Sequence, residues 1–272
     1  MPPELGNRQA SGVTAYQNYA PYYDATGQIR FAVLMAHYVR DVLVRHPAPG
    51  RRMLDLACGT GTLALLFADE GWAAVGLDAS PATLAQARAK AANLDTVGSV
   101  AFVQGDMRQP GAALAGISNA RPGSFDLATC VYDSLNYLLD ERELAACFAG
   151  IAEALAPGGV ALLDMNTHHF LEHDWLPSEV LELPGFVQVS QSHFDPATAC
   201  STMVLTGFSG DDAQGYQRFD ETHVERAYPP ELVAELLAAA GLLVEATYDC
   251  FTFQPLSERA QRIAWVVRKP AN

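Results

Sequence analysis

The hydrophobic and polar positions of this chain follow two alternating periods over most of its length. Short apolar runs of strand length alternate with segments in which apolar residues recur every three to four positions, the spacing of an amphipathic helix. Such an alternation is typical of a doubly wound, mostly parallel α/β sheet, which is the fold class we expect. The five runs that predict its strands are Arg52–Leu56, Trp72–Leu77, Val100–Gln104, Phe125–Val131 and Val160–Asp164.

Capping signals mark where the helices between these strands begin. Ser80 followed by Pro81 is typical of a helix start and predicts a helix over Pro81–Ala92. The stretch D-E-R-E at residues 140–143 resembles a capping box and predicts a helix that continues to Leu155. Periodicity alone predicts further helices over Ile29–His46 and Thr62–Asp69.

The pattern changes between residues 179 and 227, where no helical period is visible. Three segments there look like strands, and Asp195-Pro196 and Gly210–Gly215 provide turns between them. A helix over Pro230–Ala240 and two β-rich runs, Leu243–Phe253 and Arg262–Arg268, then follow. We therefore expect an antiparallel sheet inserted before the end of the core, where it forms a lid over an acceptor site or a dimer contact.

Composition narrows the classes of function. The chain has 272 residues, with 17 Lys and Arg against 31 Asp and Glu, which gives a formal net charge of −14. Such a charge repels nucleic acids and anionic membranes, so neither is an expected partner. Five scattered cysteines without a C-x-x-C pair, and no signal-like or 18-residue apolar stretch, favour a cytoplasmic protein with reduced thiols.

Three carboxylates lie at or just after the carboxyl ends of the first three predicted strands: Asp55, Asp78 and Asp106. Parallel sheets bind ligands at the carboxyl ends of their strands, so these side chains predict a ligand site. The first belongs to L-D-L-A-C-G-T-G-T at residues 54–62, where Gly59 and Gly61 let the backbone approach a ligand closely. By itself this stretch also fits a dinucleotide fingerprint, which leaves a nicotinamide-dependent oxidoreductase open.

Five stretches in order resemble class I S-adenosylmethionine-dependent methyltransferases, and they cover about residues 50–165. They read D-L-A-C-G-T-G, G-L-D-A-S, Q-G-D-M-R, F-D-L-A-T-C-V-Y-D-S-L-N-Y-L and L-A-P-G-G-V-A-L-L-D-M. The first residues and the inserted strands are also similar to small-molecule N-methyltransferases of the aminosugar- and glycine-modifying kind. The resemblance implies a seven-stranded Rossmann-like sheet, S-adenosyl-L-methionine as cofactor with S-adenosyl-L-homocysteine as product, and in-line methyl transfer to nitrogen or oxygen of a small molecule.

The resemblance also implies the residues that contact the cofactor. Because the cofactor carries an ammonium and a sulfonium, the Asp55 carboxylate would attract it and would repel a pyrophosphate. Asp78 is expected to accept both ribose hydroxyls without a partner of its own, and Asp106 to accept from the adenine amino group. The full set of candidate cofactor residues is Tyr16, Tyr23, Asp55, Ala57, Gly59, Asp78, Ala79, Asp106, Met107 and Val131.

The candidate catalytic residues are Tyr132, Tyr137 and His169. Tyr137 occupies a position that is histidine in the S-x-G-H-L motif of the aminosugar enzymes, so a histidine base is in doubt here. A tyrosine hydroxyl is a poor base but a good orienting group, and a packing role for Tyr137 stays open. His169 and His173 have the i,i+4 spacing of metal ligands, but no third ligand has motif spacing, and no metal is expected.

These elements predict four segments: a cofactor-covering lead-in at 1–50, the binding core at 51–178, the antiparallel lid at 179–227, and a final helix with two strands at 228–272. We expect a small-molecule acceptor and a monomer or homodimer. Besides the oxidoreductase, a non-catalytic regulatory protein that binds S-adenosylmethionine and an enzyme that modifies proteins remain alternatives.

Overall fold

The computed structural model describes residues 16–117 and 120–271, and these residues form two β-sheets with helices around the larger one. The first fifteen residues of the predicted lead-in lie outside the described residues. In chain order the strands are β1 (Arg52–Leu56), β2 (Ala73–Asp78), β3 (Ser99–Gln104), β4 (Phe125–Cys130), β5 (Leu155–Asn166), β6 (Ser178–Leu183), β7 (Phe186–Asp195), β8 (Cys200–Asp211), β9 (Gly215–Arg226), β10 (Leu243–Asp249) and β11 (Arg262–Arg268).

The larger sheet has seven strands in the order β10-β11-β5-β4-β1-β2-β3. β1 to β5 are parallel to one another, whereas β11 is antiparallel to both β5 and β10. The strand order reverses between β1 and β4, so the carboxyl ends of these two strands border a cleft. The predicted fold class, a doubly wound and mostly parallel seven-stranded sheet, is confirmed.

Helices cover both faces of this sheet because successive strand residues point to opposite sides. In β1, Met53 packs into a cluster with Val39 and Phe67, while Leu54 packs with Phe148 on the other face. All five side chains are essentially inaccessible to solvent. The helices are α1 (Ala20–Tyr23), α2 (Ile29–Arg45), α3 (Thr62–Asp69), α4 (Pro81–Ala91), α5 (Pro110–Leu114), α6 (Glu141–Ala154) and α7 (Pro230–Ala239).

The smaller sheet is antiparallel and consists of β6 to β9, which span residues 178–226. Phe186 and Leu205 on its inner face pack against Tyr19 from the first described segment. The sequence predicts three strands here, and the structure has four. β6 escaped prediction because it is an edge strand with an exposed apolar residue, Val180, at 66% exposure.

Other differences are local. Pro157-Gly158-Gly159, predicted as a turn, lies inside β5, which begins at Leu155. The short helix α5 was not predicted, since five residues are too few to show a period. Within the described residues, no helix has the length and apolarity needed to cross a membrane.

Candidate active site

The turn after β1 opens into a cavity of about 700 Å³ at the carboxyl ends of the parallel strands. Ala57 and Gly59 adopt left-handed backbone conformations, with φ of 52° and 55°. The Cys58 amide donates to the Leu77 carbonyl of β2 at 3.0 Å, which fixes the turn against the sheet. A Cβ added to Gly59 would meet no atom within 4 Å, so the bare backbone of this residue faces the cavity. A ligand can therefore approach the turn closely.

The second glycine of the motif serves packing instead. Gly61 precedes α3 with φ of 74°, and a Cβ there would lie 2.5 Å from the Phe102 ring. No larger residue fits this position without displacing the ring. Glycine is therefore required at these two positions for different reasons: Gly59 faces the cavity, and Gly61 faces the core.

Asp55 forms part of the cavity wall although it is only 2% exposed. The Thr129 hydroxyl donates to its Oδ1 at 2.7 Å. Burial, with a smaller effect from the nearby Asp78 carboxylate, raises the pKa of Asp55 to about 7 despite this hydrogen bond. A cation next to Asp55 would favour its ionised form, so the residue is suited to a positively charged ligand.

Asp78 ends β2 and has partners of its own, which corrects the expectation that it is unpaired. Its Oδ2 accepts from the Gly59 amide at 2.8 Å, and its Oδ1 accepts from the Ser80 amide at 2.8 Å and from the Thr83 hydroxyl at 3.1 Å. A carboxylate offers about four acceptor sites, so about one remains for a ligand. Burial raises the pKa of Asp78, while these donors lower it.

Asp106 and Met107, which follow β3, line the far end of the cavity. Arg108 Nε donates to the two Asp106 oxygens at 2.9 and 2.8 Å, and the Arg108 guanidinium also contacts Glu143. The hydrogen bonds from Arg108 lower the pKa of Asp106. Asp106 is therefore an ionised, half-exposed carboxylate whose orientation Arg108 fixes.

Four tyrosines separate this cavity from a second one of about 200 Å³, and each of them lines both. The hydroxyls of Tyr16 and Tyr137 are 2.8 Å apart, and the Tyr23 ring meets the Tyr16 ring edge-on at 5.7 Å. The Tyr132 hydroxyl contacts Gln28. The four rings form a wall between the two cavities, and ligands bound in the two cavities would meet at this wall.

A buried ionic cluster forms the floor of the second cavity. Tyr132 and Asp133 both have positive φ, and their amides donate to the two oxygens of Asp164 at 3.0 and 2.7 Å. Arg262 from β11 donates to Asp164 at 2.9 Å and to Asp133 at 2.7 Å. Two carboxylates therefore share one guanidinium.

The smaller sheet supplies the opposite wall of the second cavity through β9. Glu225 is 2% exposed and accepts from the Asn166 amide at 2.7 Å. Burial and the neighbouring Asp133 carboxylate raise the pKa of Glu225 well above its usual range, against the hydrogen bond from Asn166. His223, two residues earlier, places Nδ1 3.1 Å from the Tyr137 hydroxyl.

Comparisons with known proteins identify the family. A family model described as a methyltransferase domain matches residues 53–159. The solved structure of an S-adenosylmethionine-dependent methyltransferase from Clostridium acetobutylicum ATCC 824 matches with a TM-score of 0.76 at 25% identity, over 93% of this chain and 98% of that one. A putative methyltransferase of Geobacillus sp. (strain WCH70) is 32% identical over 257 residues, which cover 93% of this chain and 99% of the relative. This chain belongs to the S-adenosylmethionine-dependent methyltransferases.

A further solved structure resembles the methyltransferase over almost its whole length. The sugar N-methyltransferase KedS8 from Streptoalloteichus sp. ATCC 53650 matches with a TM-score of 0.71 at 27% identity, over 96% of this chain and 97% of that one. The identification as an S-adenosylmethionine-dependent enzyme is thus confirmed, and the nicotinamide-dependent oxidoreductase is excluded as an alternative.

The larger cavity of the methyltransferase fits S-adenosylmethionine by its chemistry. Its lining contains four acidic side chains beside one guanidinium, that of Arg108, and this excess of carboxylates suits a cationic cofactor and opposes a pyrophosphate. Every residue that the sequence assigned to the cofactor lines this cavity, as do Tyr132 and Tyr137. The structure thus brings these residues together around one cavity, and their contacts with the cofactor remain predictions.

His169, the third candidate catalytic residue, lies outside both cavities and is not brought to the site. Its side chain faces Asp174 at 3.6 Å and the His173 ring at 5.0 Å. β5 continues two residues beyond the predicted end at Asp164, and Asn166, not His169, lines the second cavity. Within residues 16–117 and 120–271, no cluster of three or more histidine, cysteine or acidic side chains is placed to hold a metal ion.

The sequence analysis missed three polar residues on β9: Glu221, His223 and Glu225. All three are buried, while Thr222 between them is exposed. Charged and titratable residues that alternate on the buried face of a strand reverse the usual pattern, since such residues are rarely buried unless they have a function or a partner. That reversal was the available signal.

Proposed function

We propose that this methyltransferase transfers the methyl group of S-adenosylmethionine to the nitrogen of a small-molecule amine bound in the second cavity. The observation that carries the proposal is the charge of that cavity. Asp133, Glu179 and Glu225 line it, against the single guanidinium of Arg262. Of the two acceptor atoms that the sequence leaves open, nitrogen suits this charge because an amine enters as a cation.

Glu225 makes the argument specific. The Arg262 charge is already shared by Asp133 and Asp164, at 2.7 and 2.9 Å. Within the described part of the chain, Glu225 accepts from the neutral amide of Asn166, and its other side-chain neighbour within hydrogen-bond reach is the carboxyl of Asp133. Burying a carboxylate costs free energy unless a cation or several donors accompany it. An ammonium group in the cavity would compensate Glu225 as a neutral hydroxyl would not.

The comparisons support the same class of acceptor. The sugar N-methyltransferase that this chain resembles over nearly its full length is named for methyl transfer to nitrogen. The cavity at 200 Å³ is also much smaller than the cofactor cavity, which favours a small acceptor or the amino end of a larger one.

On the cofactor side, we assign Asp55 to the cationic methionine end, Asp78 to a ribose hydroxyl and Asp106 with Met107 to the adenine. S-adenosylmethionine supplies a methyl group on a positively charged sulfur, which an amine lone pair can attack without a strong base. The residues of the protein then have to hold the acceptor in line and exclude water. Tyr16 and Tyr137, whose hydroxyls lie at the junction of the two cavities, are placed to orient the acceptor.

The smaller sheet takes the role of a lid in this proposal. Residues of β7, β8 and β9 line the second cavity, and the sheet packs on the first described segment through Tyr19. It therefore covers the acceptor and selects its shape, which is the function that the sequence analysis assigned to residues 179–227. The rival role as a dimer contact concerns its outer face and stays open.

Mass spectrometry after incubation with methyl-deuterated S-adenosylmethionine tests the proposal. The acceptor panel contains primary and secondary amines, among them glucosamine, glycine and sarcosine, and matched alcohols and carboxylic acids that lack the amino group. We expect the labelled methyl group on nitrogen of at least one amine and on none of the matched compounds. Labelled hydroxyl or carboxyl products without labelled amines would refute nitrogen transfer.

A further inference from the structure

A continuous chain of polar side chains leads from the tyrosine wall into the smaller sheet. The Tyr16 hydroxyl lies 2.8 Å from the Tyr137 hydroxyl, which lies 3.1 Å from His223 Nδ1. On the other side of the imidazole, His223 Nε2 lies 3.6 Å from Glu221 Oε2. His223 and Glu221 are 1% and 2% exposed at their side chains, so the far end of the chain is shielded from solvent.

Glu221 is held as an anion by the segment that carries Tyr16. Its carboxylate accepts from the backbone amides of Tyr16 at 2.9 Å, Asn18 at 2.6 Å and Tyr19 at 3.1 Å. Although burial opposes ionisation, the neighbouring His223 side chain and the hydrogen bonds from these amides lower the pKa of Glu221 below its usual value. An ionised carboxylate therefore faces Nε2 of His223.

This anion fixes the direction of every hydrogen bond in the chain. A neutral imidazole carries one proton, and a bare Nε2 lone pair facing a carboxylate would be repelled, so the proton belongs on Nε2. Nδ1 must then accept from the Tyr137 hydroxyl, and Tyr137 in turn must accept from Tyr16. The Tyr16 oxygen keeps its lone pairs for the cavities, where it can accept from an acceptor N–H.

We propose that Glu221 and His223 form a proton-accepting relay that acts through Tyr137 and Tyr16 on the methyl acceptor. Tyr16 is the catalytic residue that touches the acceptor, and His223 is a positioning residue that turns both hydroxyls into acceptors and takes up the proton. The inference rests on the proposed amine acceptor, because an ammonium must lose a proton before its nitrogen can attack.

The proton balance is complete without another reactant. The bound ammonium gives one N–H proton to Tyr16, Tyr16 gives its own to Tyr137, and Tyr137 gives its own to His223 Nδ1. Burial raises the pKa of both phenols well above the usual value, so neither hydroxyl retains a charge and the proton ends on the imidazole. The free amine then forms its N–C bond as the C–S bond breaks, with the electron pair left on sulfur.

Carboxylates and phenols surround His223. Glu221 and Glu225 flank it on the same face of β9, while Tyr16 and Tyr137 face it from the first segment and from the turn after β4. Asp133 lies beyond the tyrosines and raises the pKa of both phenols. The relay requires a neutral His223, because an imidazole that already carries two protons cannot take up another, so kcat/KM should have an acidic limb.

Two-bond proton–nitrogen NMR spectra of the histidine-labelled protein, saturated with S-adenosylhomocysteine, test the relay without an acceptor. His223→Asn identifies the signal. We expect the Nε2–H tautomer for His223 above its titration, and an Nδ1–H tautomer would overturn the relay. The exposed His193, also in the smaller sheet, provides the matched control variant His193→Asn.

Kinetics with an amine that wild type methylates give the second readout. His223→Asn keeps an acceptor oxygen for Tyr137 but cannot titrate, so we expect kcat/KM to fall about 10- to 100-fold with loss of the acidic limb, at unchanged cofactor affinity. Unchanged kinetics in this variant would overturn the relay while leaving amine methylation intact. If calorimetry shows that the variant no longer binds cofactor, Tyr137→Phe replaces it in the test, and the same loss of the acidic limb of kcat/KM is expected. A wild-type enzyme that methylates none of the amines would refute the proposed function. The NMR measurement of the His223 tautomer needs no acceptor and would still test the hydrogen-bond directions of the relay.

Discussion

Because Asp55 is buried, we predict that its charge lowers the free energy of unfolding of the cofactor-free protein. The variant Asp55→Asn measures this loss of stability. Asparagine has nearly the same shape and keeps an oxygen to accept from Thr129, whose hydroxyl lies 2.7 Å from Asp55 Oδ1. The substitution therefore removes the charge and little else. Without cofactor, the variant should be more stable than wild type at neutral and alkaline pH.

The magnitude follows from the pKa. Burial raises the pKa of Asp55 from 3.8 to about 7, which corresponds to about 4 kcal/mol of folding free energy. Because the folded state has the higher pKa, the neutral carboxyl is favoured by folding, and stability falls as pH rises from about 4 to about 7. Asp55→Asn should abolish this loss. At about 2–4 °C per kcal/mol, its Tm at pH 8 should exceed that of wild type by roughly ten degrees.

Thermal denaturation of the cofactor-free protein from pH 4 to pH 8 provides the assay. The gap between Asp55→Asn and wild type should widen steadily up to about pH 7 and then remain constant. Asp69→Asn, a change at an exposed acidic residue of α3, is the control and should follow the wild-type curve. A variant that is less stable than wild type at pH 8, or a gap that does not vary with pH, would refute the elevated pKa.

Three further outcomes follow from the same geometry. S-adenosylmethionine should bind wild type more tightly as pH rises through about 7, with proton release in calorimetry, and Asp55→Asn should lose this dependence. Asp78→Ala should weaken cofactor binding about 10- to 100-fold, since a hydrogen bond to a charged group contributes about 1.5–3 kcal/mol; it should also lower Tm, because three protein donors lose their acceptor. Glu225→Gln should raise KM for the amine about tenfold or more at unchanged cofactor affinity, and equal KM values would remove Glu225 from amine binding.

The core and the cofactor side were predictable because local patterns determine them. Each of the first three parallel strands is a mostly apolar run with an acidic residue at or just after its end, and the topology of a wound sheet brings these ends to one edge. Asp55, Asp78 and Asp106 therefore had to meet around one cavity wherever the intervening helices packed. The sequence could not show the partners of Asp78, because two of its three donors depend on the exact path of the turns around it.

The acceptor side was predicted poorly because it depends on how separate segments dock. His223 reaches Tyr137 only because β9 pairs with β8 in the register that sets His223 opposite Met203 and turns it inward. A shift of one residue would turn it to the outside of the sheet. His169 does not lie at the expected site for a related reason, since β5 is two residues longer than predicted and the chain leaves the cavity before residue 169. Neither register nor strand end is encoded in the spacing of one segment.

The distribution of carboxylates across the tyrosine wall matches the movement of charge in the proposed reaction. Before transfer the positive charge is on sulfur, on the side of Asp55; afterwards it is on the methylated nitrogen, on the side of Glu225. Fixed anions on the side where charge develops stabilise the transition state more than the bound reactants, and this difference accelerates a reaction. Asp55 attracts the cofactor but becomes less favourable to it as the charge leaves. The favourable interaction with the positive charge decreases at Asp55 and increases at Glu225 during transfer. The buried and incompletely compensated carboxylate of Glu225 is unfavourable for folding, but it would accelerate the reaction.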